Sequence, residues 1–121
     1  MGTRSFIGVE CEDGIYAIYC HWDGYPEHNG RILAEHYQDF MKVCTLINGG
    51  SLSVLREEIG STQDFDNPNE NWCVYYGRDR GETDVGYQVF KSEDEFLKSA
   101  KDNWAEYAYL FVNGQWIANK L

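Results

Sequence analysis

Apolar residues crowd two short stretches near the start of the chain. Arg4 to Glu10 and Ile15 to Trp22 are rich in β-branched and aromatic types. Between them Cys11-Glu12-Asp13-Gly14 carries an Asp-Gly turn signal, and together they predict a hairpin. The second run, IYAIYCHW, is apolar on both faces: Tyr16, Ile18, Cys20 and Trp22 on one, Ile15, Ala17, Tyr19 and His21 on the other. Such a strand belongs inside a sheet, and His21 then needs a partner. After the Gly24-Tyr25-Pro26 bend the period changes. Ile32, Leu33, His36, Tyr37, Phe40, Met41, Val43, Cys44 and Ile47 form a helical stripe, which predicts a helix over 30–47 stopped by Asn48-Gly49-Gly50.

The segment SLSVLREEIG is expected to add a turn of helix ending at Gly60, and STQDFDNPNEN to form a surface loop. WCVYYGR at 72–78 and the run from Val85 to Phe90 predict a second hairpin across DRGETD. Ser92-Glu93-Asp94-Glu95 is a capping box with an acidic first turn, opening a helix over 93–103 that buries Phe96, Leu97 and Ala100. Tyr107 to Val112 and Gln115 to Ala118 flank Asn113-Gly114 and predict a terminal hairpin. The expected order is ββαββαββ. It describes one α+β domain over 1–121, with a mainly antiparallel sheet and two helices covering one face.

Composition narrows the setting. A chain of 121 residues with 16% aromatics can bury a core without staples. No stretch approaches the roughly 18–20 apolar residues of a membrane span, and MGTRSFIGVE lacks the apolar region of a signal peptide. The expectation is a cytoplasmic protein with no membrane contact. Cys11, Cys20, Cys44 and Cys73 fit no C-x-x-C pattern, so four reduced, mostly buried thiols are expected. A net charge of −10 repels phosphate backbones, which disfavours direct nucleic-acid binding through a basic face. It suits solubility, or docking onto a basic protein surface.

The densest chemistry lies in YCHWDGYPEHNG at 19–30. Cys20 and His21 are adjacent on a strand and point to opposite faces, which speaks against a Cys-His nucleophile. His21, His28 and His36 with Asp23 or Asp39 have no metal-ligand spacing, and the acidic run 64–70 lacks the spacing of a calcium loop. No catalytic residue, metal or cofactor is assigned.

The cationic residues are more informative. Lys and Arg number only ten, yet Arg78 and Arg80 sit together in Gly77-Arg78-Asp79-Arg80-Gly81-Glu82, and Arg4 sits in Gly2-Thr3-Arg4-Ser5. Guanidinium forks match phosphates, and flanking glycines let backbone N–H groups approach an anion. Trp22, Tyr25, Tyr75 and Tyr76 supply stacking surfaces for a base. The competing reading is internal, with Asp23, Asp79 and Glu82 pairing these arginines to pin loops.

With GTRSFIG at 2–8, IYCHWDGYPEHNG at 18–30 and YGRDRGE at 76–82, the chain resembles a family of small bacteriophage and prophage proteins. The resemblance spans most of the first two-thirds of the chain. It implies a role in the cytoplasm of an infected bacterium, and small phage proteins often blunt host defence. It carries no catalytic residues.

The expectation is a non-enzymatic phage accessory, anti-defence protein that sequesters a small anionic, nucleotide-derived ligand. Arg4, Arg78 and Arg80 would hold phosphate, Trp22 and Tyr25 would stack on a base, and His21 or Asp23 would read a polar edge. A second reading is an acidic inhibitor presenting Glu57, Glu58, Asp64, Asp66 and Glu70 to a basic host defence protein. A third is a small hydrolase or transferase acting on the same ligand. Exposed aromatics would equally line a homodimer contact.

Overall fold

The computed structural model describes residues 3–64 and 66–121. Gly2 of the GTRS motif and Phe65 of the acidic loop lie outside them. The first hairpin forms as expected, with β1 (Ser5–Cys11) antiparallel to β2 (Gly14–Trp22). Cys11 pairs with Gly14, so Glu12 and Asp13 make the turn, and the register runs to Ser5 opposite Cys20.

From β2 the chain passes through a π-helical turn at Pro26–Gly30 into α1 (Arg31–His36) and α2 (Phe40–Asn48). The single helix expected over 30–47 is therefore broken. Tyr37 leaves helical geometry, its ring fully buried and its hydroxyl donating to the Arg56 carbonyl at 2.8 Å. Asp39 then caps α2 by accepting from the Lys42 N–H at 3.2 Å.

β3 (Leu52–Val54) replaces the expected helical turn and pairs parallel with the end of β2, Cys20 with Leu52 and Trp22 with Val54. A parallel return needs a crossover, and α1 with α2 supply it. Gly50, at φ +87, makes the entry into β3, where a Cβ would collide with the Val85 carbonyl.

The second expected hairpin is also absent. β4 (Val74–Tyr75) pairs with β3, and the chain coils at once into α3 (Tyr76–Arg80). Asp79 captures the Tyr75 N–H at 2.7 Å, and Gly81, at φ +70, closes α3 with a left-handed cap. β5 (Gln88–Phe90) pairs instead with Ile15–Ala17 of β2, on the edge that β3 leaves free. α4 (Glu93–Asp102) starts on the expected Ser92 cap, and β6 (Tyr107–Val112) and β7 (Gln115–Lys120) form the terminal hairpin.

The result is α+β with a seven-stranded mixed sheet ordered β4-β3-β2-β1-β6-β7, β5 lying off this path, and β6 parallel to β1. The ββαββαββ order gives way to four helices, and they cover both faces rather than one. α1 and α2 bury Ile32, Leu33, Val43, Leu46 and Ile47 against Ile7, Val9, Ile18, Cys20, Tyr109 and Phe111. α4 buries Phe96 and Ala100 against Phe6, Ile15, Ala17, Ala108 and Leu110. A strand apolar on both faces requires both covers. α4 has ten residues, about 15 Å of helix, and Tyr19 and His21 at the far end of β2 stay only partly covered. No helix among the described residues is long and apolar enough to cross a membrane.

Candidate functional site

The antiparallel register, carried one step beyond Ser5 and Cys20, sets Arg4 opposite His21 on the face that α4 covers only in part. Tyr19 lies on the same face, and its hydroxyl shares a hydrogen bond of 2.7 Å with His21 Nδ1. The Trp22 ring stands edge-on to the imidazole with centroids 4.8 Å apart. From the other side α3 brings Tyr76 and Arg80, the guanidinium carbon 5.3 Å from the Tyr76 ring centroid. Two arginines thus converge on one imidazole.

The electrostatics follow from that placement. Burial pushes the His21 imidazole below its usual value, and the like charges of Arg4 and Arg80 push it the same way. It is neutral at pH 7. Burial raises the Tyr19 phenol, against a smaller opposing pull from Arg4. Among the described residues neither Arg4 nor Arg80 forms an ion pair. In a chain of net charge −10, two partly or fully exposed guanidiniums without carboxylate partners amount to a local positive site.

Arg78 leaves the candidate ligand set. Its Nε donates to Asp79 Oδ1 at 2.9 Å, Nη1 to the Ile59 and Gly60 carbonyls at 2.9 and 3.3 Å, and Nη2 to the Cys73 carbonyl and Asp79 Oδ2 at 2.9 and 3.1 Å. Those five bonds use every N–H of the guanidinium, which also lies 4.7 Å from the Tyr75 ring centroid. Asp79, its side chain fully buried, further accepts from the Gln63 and Tyr75 N–H groups at 2.8 and 2.7 Å. Burial alone would raise its carboxyl, but the Arg78 and backbone hydrogen bonds outweigh that and hold it below the usual carboxylate range. The expectation of internal pairing holds for Arg78 with Asp79.

Asp23 and Tyr25 do not join the cluster either. The Asp23 carbonyl accepts from the Asn29 N–H at 3.3 Å, and its carboxylate makes no ion pair with an arginine among the described residues. Tyr25 faces His28 with ring centroids 6.2 Å apart, on the turn that carries the chain toward α1. That turn is tightly anchored. Gly24 N–H donates to the Thr3 carbonyl at 2.6 Å, and the Tyr109 hydroxyl donates to the Gly24 carbonyl at 2.6 Å. A Cβ at Gly24 would lie 2.7 Å from both Ser5 Cβ and the Thr3 carbonyl oxygen, so glycine is required there. Buried Asn29 completes the anchor, its Nδ2 donating to Ser5 Oγ at 3.2 Å and approaching Cys20 Sγ at 3.4 Å.

A groove of about 480 Å³ opens beside Arg4 and Tyr19, bounded by Gln88, Asp102, Asn103 and Trp104. Trp104 is missing from the residues that the sequence singles out, yet it is 77% exposed at the groove's edge. A smaller cavity, of about 240 Å³, lies at the opposite end of the β1–β2 hairpin between Cys11, Tyr16, Cys44 and Tyr87. No cation lines it, so it offers an anion nothing. Cys20 and Cys73 are buried free thiols, with Cys20 pushed up to about 12 by burial, while Cys11 and Cys44 are partly exposed. No cluster of three or more metal-ligating side chains occurs among the described residues.

No protein-family model, curated protein or solved structure matches the chain.

Proposed function

We propose that this protein binds a small anionic, nucleotide-derived ligand, with Arg4 and Arg80 holding its phosphate and His21 between them. The observation that carries the reading is the approach to a neutral imidazole of two guanidiniums that form no ion pair among the described residues, one of them, Arg4, also lining an open groove. His21 would gain a proton as the anion arrives, adding a charge-assisted hydrogen bond. Trp22 and Tyr76, beside His21 and Arg80, enclose the same spot with aromatic surface. Burial raises the Tyr19 phenol beside His21, which keeps its hydroxyl protonated and a poor nucleophile, and this supports binding without turnover. With the phage resemblance of its motifs, the biological role proposed is anti-defence sequestration of a nucleotide signal in the bacterial cytoplasm. A thermal-shift screen against nucleotides and cyclic nucleotides tests it: stabilisation that Arg80→Ala removes supports the reading, and no shift from any of them refutes it.

A second reading draws on the acidic loop. Glu57, Glu58, Asp64, Asp66 and Glu70 are all exposed, on a segment held by Gln63 and by the Glu58–Trp72 bridge. This is the surface an inhibitor would present to a basic host protein. Binding to such a protein that moderate salt reverses and that Glu57→Lys with Glu58→Lys abolishes would favour it over the first.

A further inference from the structure

The groove joins Arg4 and Tyr19 to the residues at the end of α4, and those residues have a definite hydrogen-bonding character. Trp104 follows the helix at φ +65, the left-handed region where a helix usually ends on glycine or asparagine. A bulky side chain in that conformation is strained, and at 77% exposure it recovers little of the cost by packing. The strain presents an indole face at the mouth of the groove that also contains Arg4.

Two neighbours set the polarity. Asn103 Nδ2 donates to the Ser99 carbonyl at 2.8 Å, which commits one of its two N–H groups to the helix and orients the amide with Oδ1 as an available acceptor. Asp102 is exposed and has no ion pair among the described residues. Ionised, it is an acceptor only. The Asp102 carboxylate, with Asn103 Oδ1 beside it, therefore favours a ligand that brings donors to this end of the groove.

We propose, building on the anion-binding reading above, that this end seats a guanine base, making the ligand a guanine nucleotide. The base stacks on Trp104 and donates N1–H and its 2-amino group to the Asp102 carboxylate, with Asn103 Oδ1 as a further acceptor, while its phosphate lies at Arg4 and Arg80. Adenine carries an acceptor at N1 and no 2-amino group, so the same edge meets Asp102 acceptor to acceptor. Sites built around a ligand donor reject the analogue that lacks it far more strongly than apolar pockets reject an isostere. A volume of about 480 Å³ lies within the usual range for small-molecule sites.

The test is calorimetric titration of the full chain with GMP, AMP and inorganic phosphate, with indole fluorescence followed in parallel. GMP should bind at least ten-fold more tightly than AMP and quench fluorescence, and AMP should differ little from phosphate. Asp102→Asn should bring the GMP to AMP ratio close to one, and Trp104→Ala should weaken GMP and abolish the quench, both leaving phosphate binding unchanged. Both side chains are exposed, so neither variant threatens folding. Equal affinity for the two nucleotides, or a preference for AMP, overturns the guanine seat and leaves the anion site standing. No binding by any of the three overturns both.

Discussion

The Tyr19 hydroxyl and His21 Nδ1, two residues apart on the same strand face, lie 2.7 Å from each other. The contact ties down one ring nitrogen of an imidazole that lies within the electrostatic reach of both Arg4 and Arg80.

Affinity for an anionic ligand should rise as pH falls. The free protein holds His21 below its usual value of 6.5 through burial and the two arginines, and a bound anion favours the protonated ring. Binding therefore raises the His21 pKa, and the linked gain is absent at high pH and complete below the free-protein value. Without ligand the sign is opposite: the neutral ring's contribution to stability is full above pH 6.5 and is lost as pH falls from there through the lowered folded value. Because a phosphate monoester itself titrates near pH ~6, the comparison is wild type against His21→Ala across the range. The difference should vanish at alkaline pH. Tyr19→Phe should keep the fold and weaken binding by about 2- to 10-fold, the worth of one neutral hydrogen bond.

Arg78 and Arg80, two residues apart in one motif, should behave as different kinds of residue. Arg78→Ala leaves a fully buried carboxylate without its counter-charge, and three carbonyls without the guanidinium donor, a loss of about 3–5 kcal/mol to be read by denaturant unfolding. Arg80→Ala should change stability by no more than about 0.5 kcal/mol and remove ligand binding. The depressed Asp79 carboxyl contributes stability that is complete above its unfolded value of 3.8 and is lost as pH falls through its lower folded value. Asp79→Asn should accordingly lose much of the acid destabilisation expected of wild type below pH 3.8 in a pH-dependent unfolding series.

Trp104→Gly should stabilise the protein and weaken the ligand. Glycine relieves the left-handed backbone at φ +65, worth about 1 kcal/mol in urea unfolding, and little packing is lost from so exposed a ring. A decrease in stability would mean that the indole packs against the body of the protein.

The four thiols should divide into two pairs in a thiol-reagent time course. Cys11 and Cys44, at the small cavity, should react in the native state, Cys11 slowly because burial and then the neighbouring Cys44 push it up. Cys20 and Cys73 should react only on unfolding.

Much of this site is legible in the sequence once the first turn is placed correctly. With Glu12 and Asp13 as the turn, every pair in the hairpin follows, and Arg4 meets His21. Taking Asp13 and Gly14 as the turn slides the register by two residues and sets Arg4 against Asp23, which is why the motif reads as a site without a clear partner. The equivalence of Arg78 and Arg80 fails for a different reason. VYY favours a strand, but Asp79 takes the Tyr75 N–H and starts a helical turn, where residues two apart point to different sides. The parallel pairing of β3 with β2 depends on a crossover that no local pattern encodes. Trp104 stands just past the expected helix end at 103, but its left-handed backbone and its place in the groove with Arg4 depend on the tertiary fold.

Calorimetric titration of the wild-type chain with a guanine nucleotide, beside Arg4→Ala and Arg80→Ala, tests the central claim most directly. The arginine cluster predicts saturable one-site binding that each substitution weakens at least ten-fold while the thermal transition stays in place. Binding of equal strength in all three proteins, or no heat from the wild type, would contradict it.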